Sequence, residues 1–146
     1  MHKFSNTSKS RLSTCEMDLQ DLCTEALQIM NITVLEGHRL SERQQKLFRD
    51  GLSKVRWSKH NESPSEAVDI APWPIPKDWG SPGPDHLYTS AEMKERAKFY
   101  YLGGIMKALA YVRGIVLRWG GNWDGDYEVD FGDQSFDDLV HFEVSI

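Results

Sequence analysis

Two short stretches far apart in the chain limit what it can become. His60 and Asp69 stand nine residues apart, joined by a polar segment that holds Ser63, Pro64 and Ser65. Asp138 and His141 stand three residues apart near the C-terminus. Two imidazoles, one aspartate and an open fourth position outline a catalytic zinc site, because catalytic zinc keeps three protein ligands and one water. A spare carboxylate beside that water serves as its general base. None of these gaps is diagnostic alone. His60 also suits a surface loop, Asp69 a solvated strand edge, and His141 a satisfied core position.

The segments around these residues read as follows. Residues 1–10 are polar and expected to be mobile, ahead of one domain over 11–146. Ser13 and Glu16 have capping-box spacing, and Leu12, Cys15, Leu19, Leu22, Cys23, Ala26, Leu27 and Met30 form a helical stripe behind them. Ile32–Glu36 is apolar and β-branched, hence a strand, ended by Gly37. Ser41 with Gln44 opens a second helix that stops near Gly51. Pro72, Pro74 and Pro76, with Trp73, cannot be helical and suggest a rigid rim. Thr89 with Glu92 opens the longest helix, running to about Leu117, whose apolar residues cover most of its circumference and predict burial on several sides. Ala67–Ile70 and Leu139–Val144 read as strands carrying Asp69 and His141. The expectation is an α+β fold, with helices packed on one side of a small antiparallel sheet that carries the metal.

The chain has 146 residues, 40% of them hydrophobic, with five Trp, enough for a core without disulfides. Its net charge of −5 is uneven: residues 1–60 hold ten Lys/Arg against seven acids, while residues 119–146 hold eight acids and neither base. An acidic chain without a basic stripe argues against nucleic acid as partner. Cys15 and Cys23, placed about 12 Å apart along one helix, are too distant to bridge and read as reduced, buried thiols. There is no apolar leader and no stretch of 18 charge-free apolar residues, so neither secretion by signal nor membrane insertion is expected. Asp124 to Asp130 alternates carboxylates around Gly125 in the manner of a calcium loop but lacks the twelve-residue pattern, which favours a solvated turn.

Val34–Arg39, Arg43–Gln45, Ser58–His60, Ala67–Pro72 and Asp138–Glu143 together resemble the zinc D,D-peptidase family. That family includes D-alanyl-D-alanine carboxypeptidases and the L-alanyl-D-glutamate endopeptidases of phages. Arg118-Trp119-Gly120-Gly121-Asn122-Trp123 is similar to a turn of the short phage enzymes, and the likeness runs in order from about residue 12 to the C-terminus. The interval from His60 to Asp69 is longer than the broader family's and carries Pro64 in place of a Gly, a form the phage branch has. The resemblance implies the Hedgehog/D,D-peptidase-like fold and one zinc ion held by His60, Asp69 and His141. It implies Asp138 as general base, and Arg39 as the residue that binds substrate and steadies the oxyanion, for which an always-charged, fork-shaped donor is suited. Ser58 would bind substrate or hold its loop, and Glu143, on His141's face of the strand, would orient that ligand or make a structural bond.

The implied activity is hydrolysis of an amide bond in the peptidoglycan stem peptide, between L-Ala and D-Glu, by a monomer serving host lysis. Such an enzyme would be made in the host cytoplasm and reach the wall through holin-type lesions. A D,D-carboxypeptidase shares every one of these residues. A zinc-stabilised, inactive wall-binding module needs neither Arg39 nor Asp138.

Overall fold

β-Branched and apolar residues dominate Ile32-Thr33-Val34-Leu35, and they form strand β1 (Ile32–Glu36) in the computed structural model, which describes residues 1–83, 85–126, 134 and 136–145. Three further strands, β2 (Ala67–Pro72), β3 (Leu117–Gly120) and β4 (Asp138–Val144), complete an antiparallel sheet in the order β1-β2-β4-β3. Alternation along the strands sends Val34, Val68, Ile70, Phe142 and Val144 into the core. Against them pack helices α2 (Met17–Ile29), through Leu19, Leu22, Cys23 and Ala26, and α4 (Ser90–Arg113), through Phe99, Leu102, Met106 and Ala110. The α+β architecture expected from the sequence is present. The opposite face of the sheet is left for Asp69 and His141.

Several local expectations are corrected. The polar residues 1–10 are not a loose tail, because helix α1 (Asn6–Leu12) begins within them. The Ser5 hydroxyl accepts from Ser8 N–H at 3.1 Å. Buried Ser8 in turn accepts from Val34 N–H at 3.0 Å, and Arg11 Nη1 donates to Val34 O at 3.0 Å. Helix α1 thus satisfies the outer edge of β1, which would otherwise expose unpaired backbone. Ser13 and Glu16 do not form a capping box: Ser13 closes α1, Cys15 bridges to Ser65, and α2 starts at Met17 with no side-chain cap. Cys15 therefore lies outside α2, though both thiols are free and buried as expected.

Helix α3 (Ser41–Arg49) begins where expected but without its box, since Gln44 is drawn inward. The Thr89–Glu92 box does form at α4. That helix stops at Arg113, not Leu117, because Gly114 takes the left-handed conformation at φ 69° and turns the chain into β3. Its burial is one-sided: Tyr101, Tyr111 and Val112 are exposed, because the sheet and α2 cover a single stripe. Of the adjacent Gly103 and Gly104 within it, Gly103 alone permits a close approach. A Cβ there would stand 2.9 Å from the Trp119 indole, whereas nothing lies within 4 Å of one on Gly104.

Candidate metal centre

The register of the sheet assembles the site. Glu36 of β1 is opposite Asp69 of β2, and Asp69 is opposite His141 of β4. On the far side, Glu143 of β4 is opposite Arg118 of β3. Cross-strand partners share a face, so this polar row crosses the sheet on the side away from α2 and α4.

His60 enters from above on a single 3-10 turn (Lys59–Asn61). The Ser58 hydroxyl accepts from His60 N–H at 3.2 Å, and Asn61 Oδ1 accepts from Ser58 N–H at 2.7 Å, a reciprocal cap. Asn61 Nδ2 also donates to Arg39 O at 2.8 Å, tying this turn to the end of β1. Ser58 therefore holds the loop, one of the two roles expected of it, while also lining the cleft.

Each imidazole is fixed by its outer nitrogen. His60 Nδ1 lies 2.7 Å from Gly37 O, so it carries the proton and leaves the Nε2 lone pair facing Asp69 Oδ1 at 3.0 Å. His141 Nε2 lies 2.9 Å from Glu143 Oε1, which leaves Nδ1 facing Asp69 Oδ1 at 3.3 Å. Glu143 is thus the carboxylate that orients His141. With both rings neutral, the three converging atoms are all acceptors, and only protons or a cation can reconcile them.

The three ligand atoms lie within 4.8 Å of one another, and among the described residues this is the single His/Cys/Asp/Glu group that can hold a metal ion. Three ligands at zinc distances on a tetrahedron stand roughly 3.4 Å apart, so the separations of 3.0 and 3.3 Å need little adjustment.

The protonation states follow from this crowding. Burial opposes charge on Asp69, yet the two imidazoles outweigh it and hold the carboxyl well below the usual range. Burial likewise disfavours charge on His141, but hydrogen bonds to Asp69 and Glu143 push it up to about 10. Asp138 has no such donor among the described residues. Burial and the charge of Asp69 push it up to about 6.

Arg39 is more committed than its expected role requires. Its Nε and Nη2 donate to the two oxygens of Glu36 at 3.1 and 2.7 Å, and Nη1 donates to Gln44 Oε1 at 2.7 Å. Gln44 is fixed in turn by bonds to Ser53 Oγ (2.9 Å) and Val55 O (2.7 Å). Only Nη2 looks towards the donor set, 3.7 Å from Asp69 Oδ2. Asp138 heads β4, and with Arg39, Ser58 and the donor set it lines a cleft of about 570 Å³.

Its neighbour Asp137 is no idle surface acid. It is buried, paired with Arg96 Nη2 at 2.9 Å, and accepts from Gln134 Nε2 at 2.8 Å.

Sequence reading missed Arg118 and Trp123 as part of the cleft wall, although it singled out their turn; the Trp123 ring lies 5.6 Å from that of His141. It also missed the supporting roles of Glu36 and Gln44. Of the acidic stretch weighed as a cation loop, Asp124 to Asp130, residues 127–130 lie outside the described residues.

An open cleft over a His–Asp–His donor set, with a spare aspartate at its edge, belongs to the hydrolases. The chain is a member of the phage L-alanyl-D-glutamate peptidase family, whose model matches residues 1–145 and so takes in α1 as well as the site. Among solved structures, the chain is similar to the Serratia marcescens L-Ala D-Glu endopeptidase ChiX, with 21% identity and a TM-score of 0.65 over 99% of this chain and 91% of that one, which is a likeness of fold. No curated protein matched the sequence. No helix among the described residues is long and apolar enough to cross a membrane.

Proposed function

We propose that this peptidase works with one zinc ion held by His60 Nε2, Asp69 Oδ1 and His141 Nδ1, and that it cleaves the L-Ala–D-Glu bond of the peptidoglycan stem peptide during host lysis. The observation that carries the reading is the convergence of three acceptor atoms whose outer partners, Gly37 O and Glu143, are already in place. Bound there, zinc would polarise the scissile carbonyl and lower the pKa of the attacking water towards ~7.

The remaining steps fall to the chain's own residues. Asp138, in no ion pair among the described residues, takes the proton of the attacking water and passes it to the leaving amine. Arg39, pinned by Glu36 and Gln44, supplies a fixed positive charge for the developing oxyanion, at no reorganisation cost. Its fork is closed by Glu36, so it acts on substrate through charge and the open side of Nη2. Ser58 keeps His60 in place. The enzyme acts as a monomer and reaches the wall through a holin-type lesion.

Elemental analysis of the purified chain, followed by mass spectrometry of digested peptidoglycan, tests the reading. We expect one zinc per chain and new termini at L-Ala and D-Glu. Release of D-Ala alone would make it a carboxypeptidase, and zinc binding without any cleavage would make it a wall-binding module.

A further inference from the structure

The rim of the cleft is cationic although the chain carries −5. Besides Arg39, it presents Arg43, Lys54, Lys59 and Arg118. Most of these are in use. Arg43 Nε pairs with Glu36 Oε1 at 3.0 Å, Lys59 Nζ donates to Val144 O at 2.6 Å, and Lys54 rests over the Phe136 ring at 5.3 Å.

Arg118 is held differently. Its Nε donates to Trp123 O at 2.9 Å and its guanidinium lies 4.9 Å over the Trp123 indole, while Nη1 and Nη2 donate to no described residue. A guanidinium aimed by one hydrogen bond and one stacking contact, with its terminal N–H pair open, is built to receive a carboxylate. It is also close to the chemistry. Trp123 stands 5.6 Å from the His141 ring, and Glu143, opposite Arg118 in the sheet, bonds His141 at 2.9 Å. That bond to His141 engages Glu143 Oε1, and no hydrogen bond joins Glu143 to Arg118 among the described residues.

We propose that Arg118 binds the free carboxylate of the D-Glu residue on the leaving side of the scissile bond and so sets preference for an unamidated stem. The inference rests on the L-Ala–D-Glu reading of this cleft. D-Glu has two carboxyl groups and only one continues the stem, so the residue whose nitrogen departs carries an anion within one residue of the reacting carbonyl. The L-Ala side offers none, since its own carbonyl is the one attacked. Arg39 cannot serve this anion with a fork, because Glu36 fills it.

Two synthetic acyl-L-Ala-D-Glu peptides, identical except that the free D-Glu carboxylate of one is a carboxamide in the other, provide the test with zinc-loaded enzyme. The wild type should favour the carboxylate by about 10- to 100-fold in kcat/KM, the scale of a charge-assisted pair. Arg118→Gln should bring the ratio close to one at unchanged zinc content, and Arg118→Lys should keep part of it. Because these changes also loosen Trp123, the ratio is taken within each variant, where loss of active enzyme cancels. A wild type that cleaves both peptides equally, or an Arg118→Gln that keeps the preference, overturns the proposal. A wild type that cleaves neither peptide overturns the bond assignment on which it rests.

Discussion

Asp137 and Asp138 are adjacent acids with opposite surroundings. Asp138 has no ion-pair partner among the described residues, and burial together with Asp69 lifts it to about 6. A base must be unprotonated to work, so turnover should fall as pH drops through that region. Asp138→Asn should remove the acidic limb of the pH–rate profile, retain metal, and lower kcat by ~10²–10⁴-fold, as measured on purified peptidoglycan. Asp137→Asn is no bystander control. It leaves Arg96 buried without its counter-charge and should cost about 3–5 kcal/mol of stability in denaturant titration. Arg39→Lys tests the pinned guanidinium: a lysine cannot hold both oxygens of Glu36 and Gln44 at once, so activity should fall by about 10²–10³-fold with zinc content unchanged. Near-normal turnover would return Arg39 to a structural role. The donor set was legible in the sequence because its members sit in recognisable segments. The difference between 137 and 138 was not, since it depends on which of two neighbours meets an arginine forty-one residues away.

At the scale of elements, what was legible was what is local. The β-branched run of β1, the strands around Asp69 and His141, and the Thr89–Glu92 cap all announce themselves within a few residues. Helix α1 does not. It is seven residues long, and what holds it is two polar side chains reaching the edge of a strand over twenty residues on. Strand β3 was hidden because Gly114 had to be recognised as a stop inside an apolar run. Gly103 shows the same dependence on tertiary setting. In a solvated helix Gly→Ala is stabilising by up to ~1 kcal/mol, but here the added methyl would meet Trp119 at 2.9 Å. We expect Gly103→Ala to lower stability by about 1–3 kcal/mol, read from thermal unfolding. A gain in Tm would mean that the indole has room to move.

At the scale of the whole molecule, a metal bound by His60, Asp69 and His141 would be coupled to the protein's protons. Without the ion, His141 holds a proton up to about pH 10, and it must lose that proton to become a ligand. Metal uptake near neutral pH should therefore release a proton, and affinity should rise as pH rises towards that value. Calorimetry in buffers of different ionisation enthalpy would read the proton directly. A pH-independent affinity between 7 and 9 would show that His141 is already neutral in the empty protein.

One feature behind the sheet extends this coupling beyond the cleft. Arg96 of α4 donates to Asp137 at 2.9 Å and to Gly80 O at 2.6 Å, and it lies 4.7 Å over the Tyr88 ring. Gly80 follows Trp79, which lines the cleft, and Asp137 precedes Asp138. The rim and the head of β4 thus share a single mooring on the helical side of the protein. A change at that mooring, out of reach of any wall fragment, would slacken both banks of the cleft at once while His60, Asp69 and His141 stayed where they are.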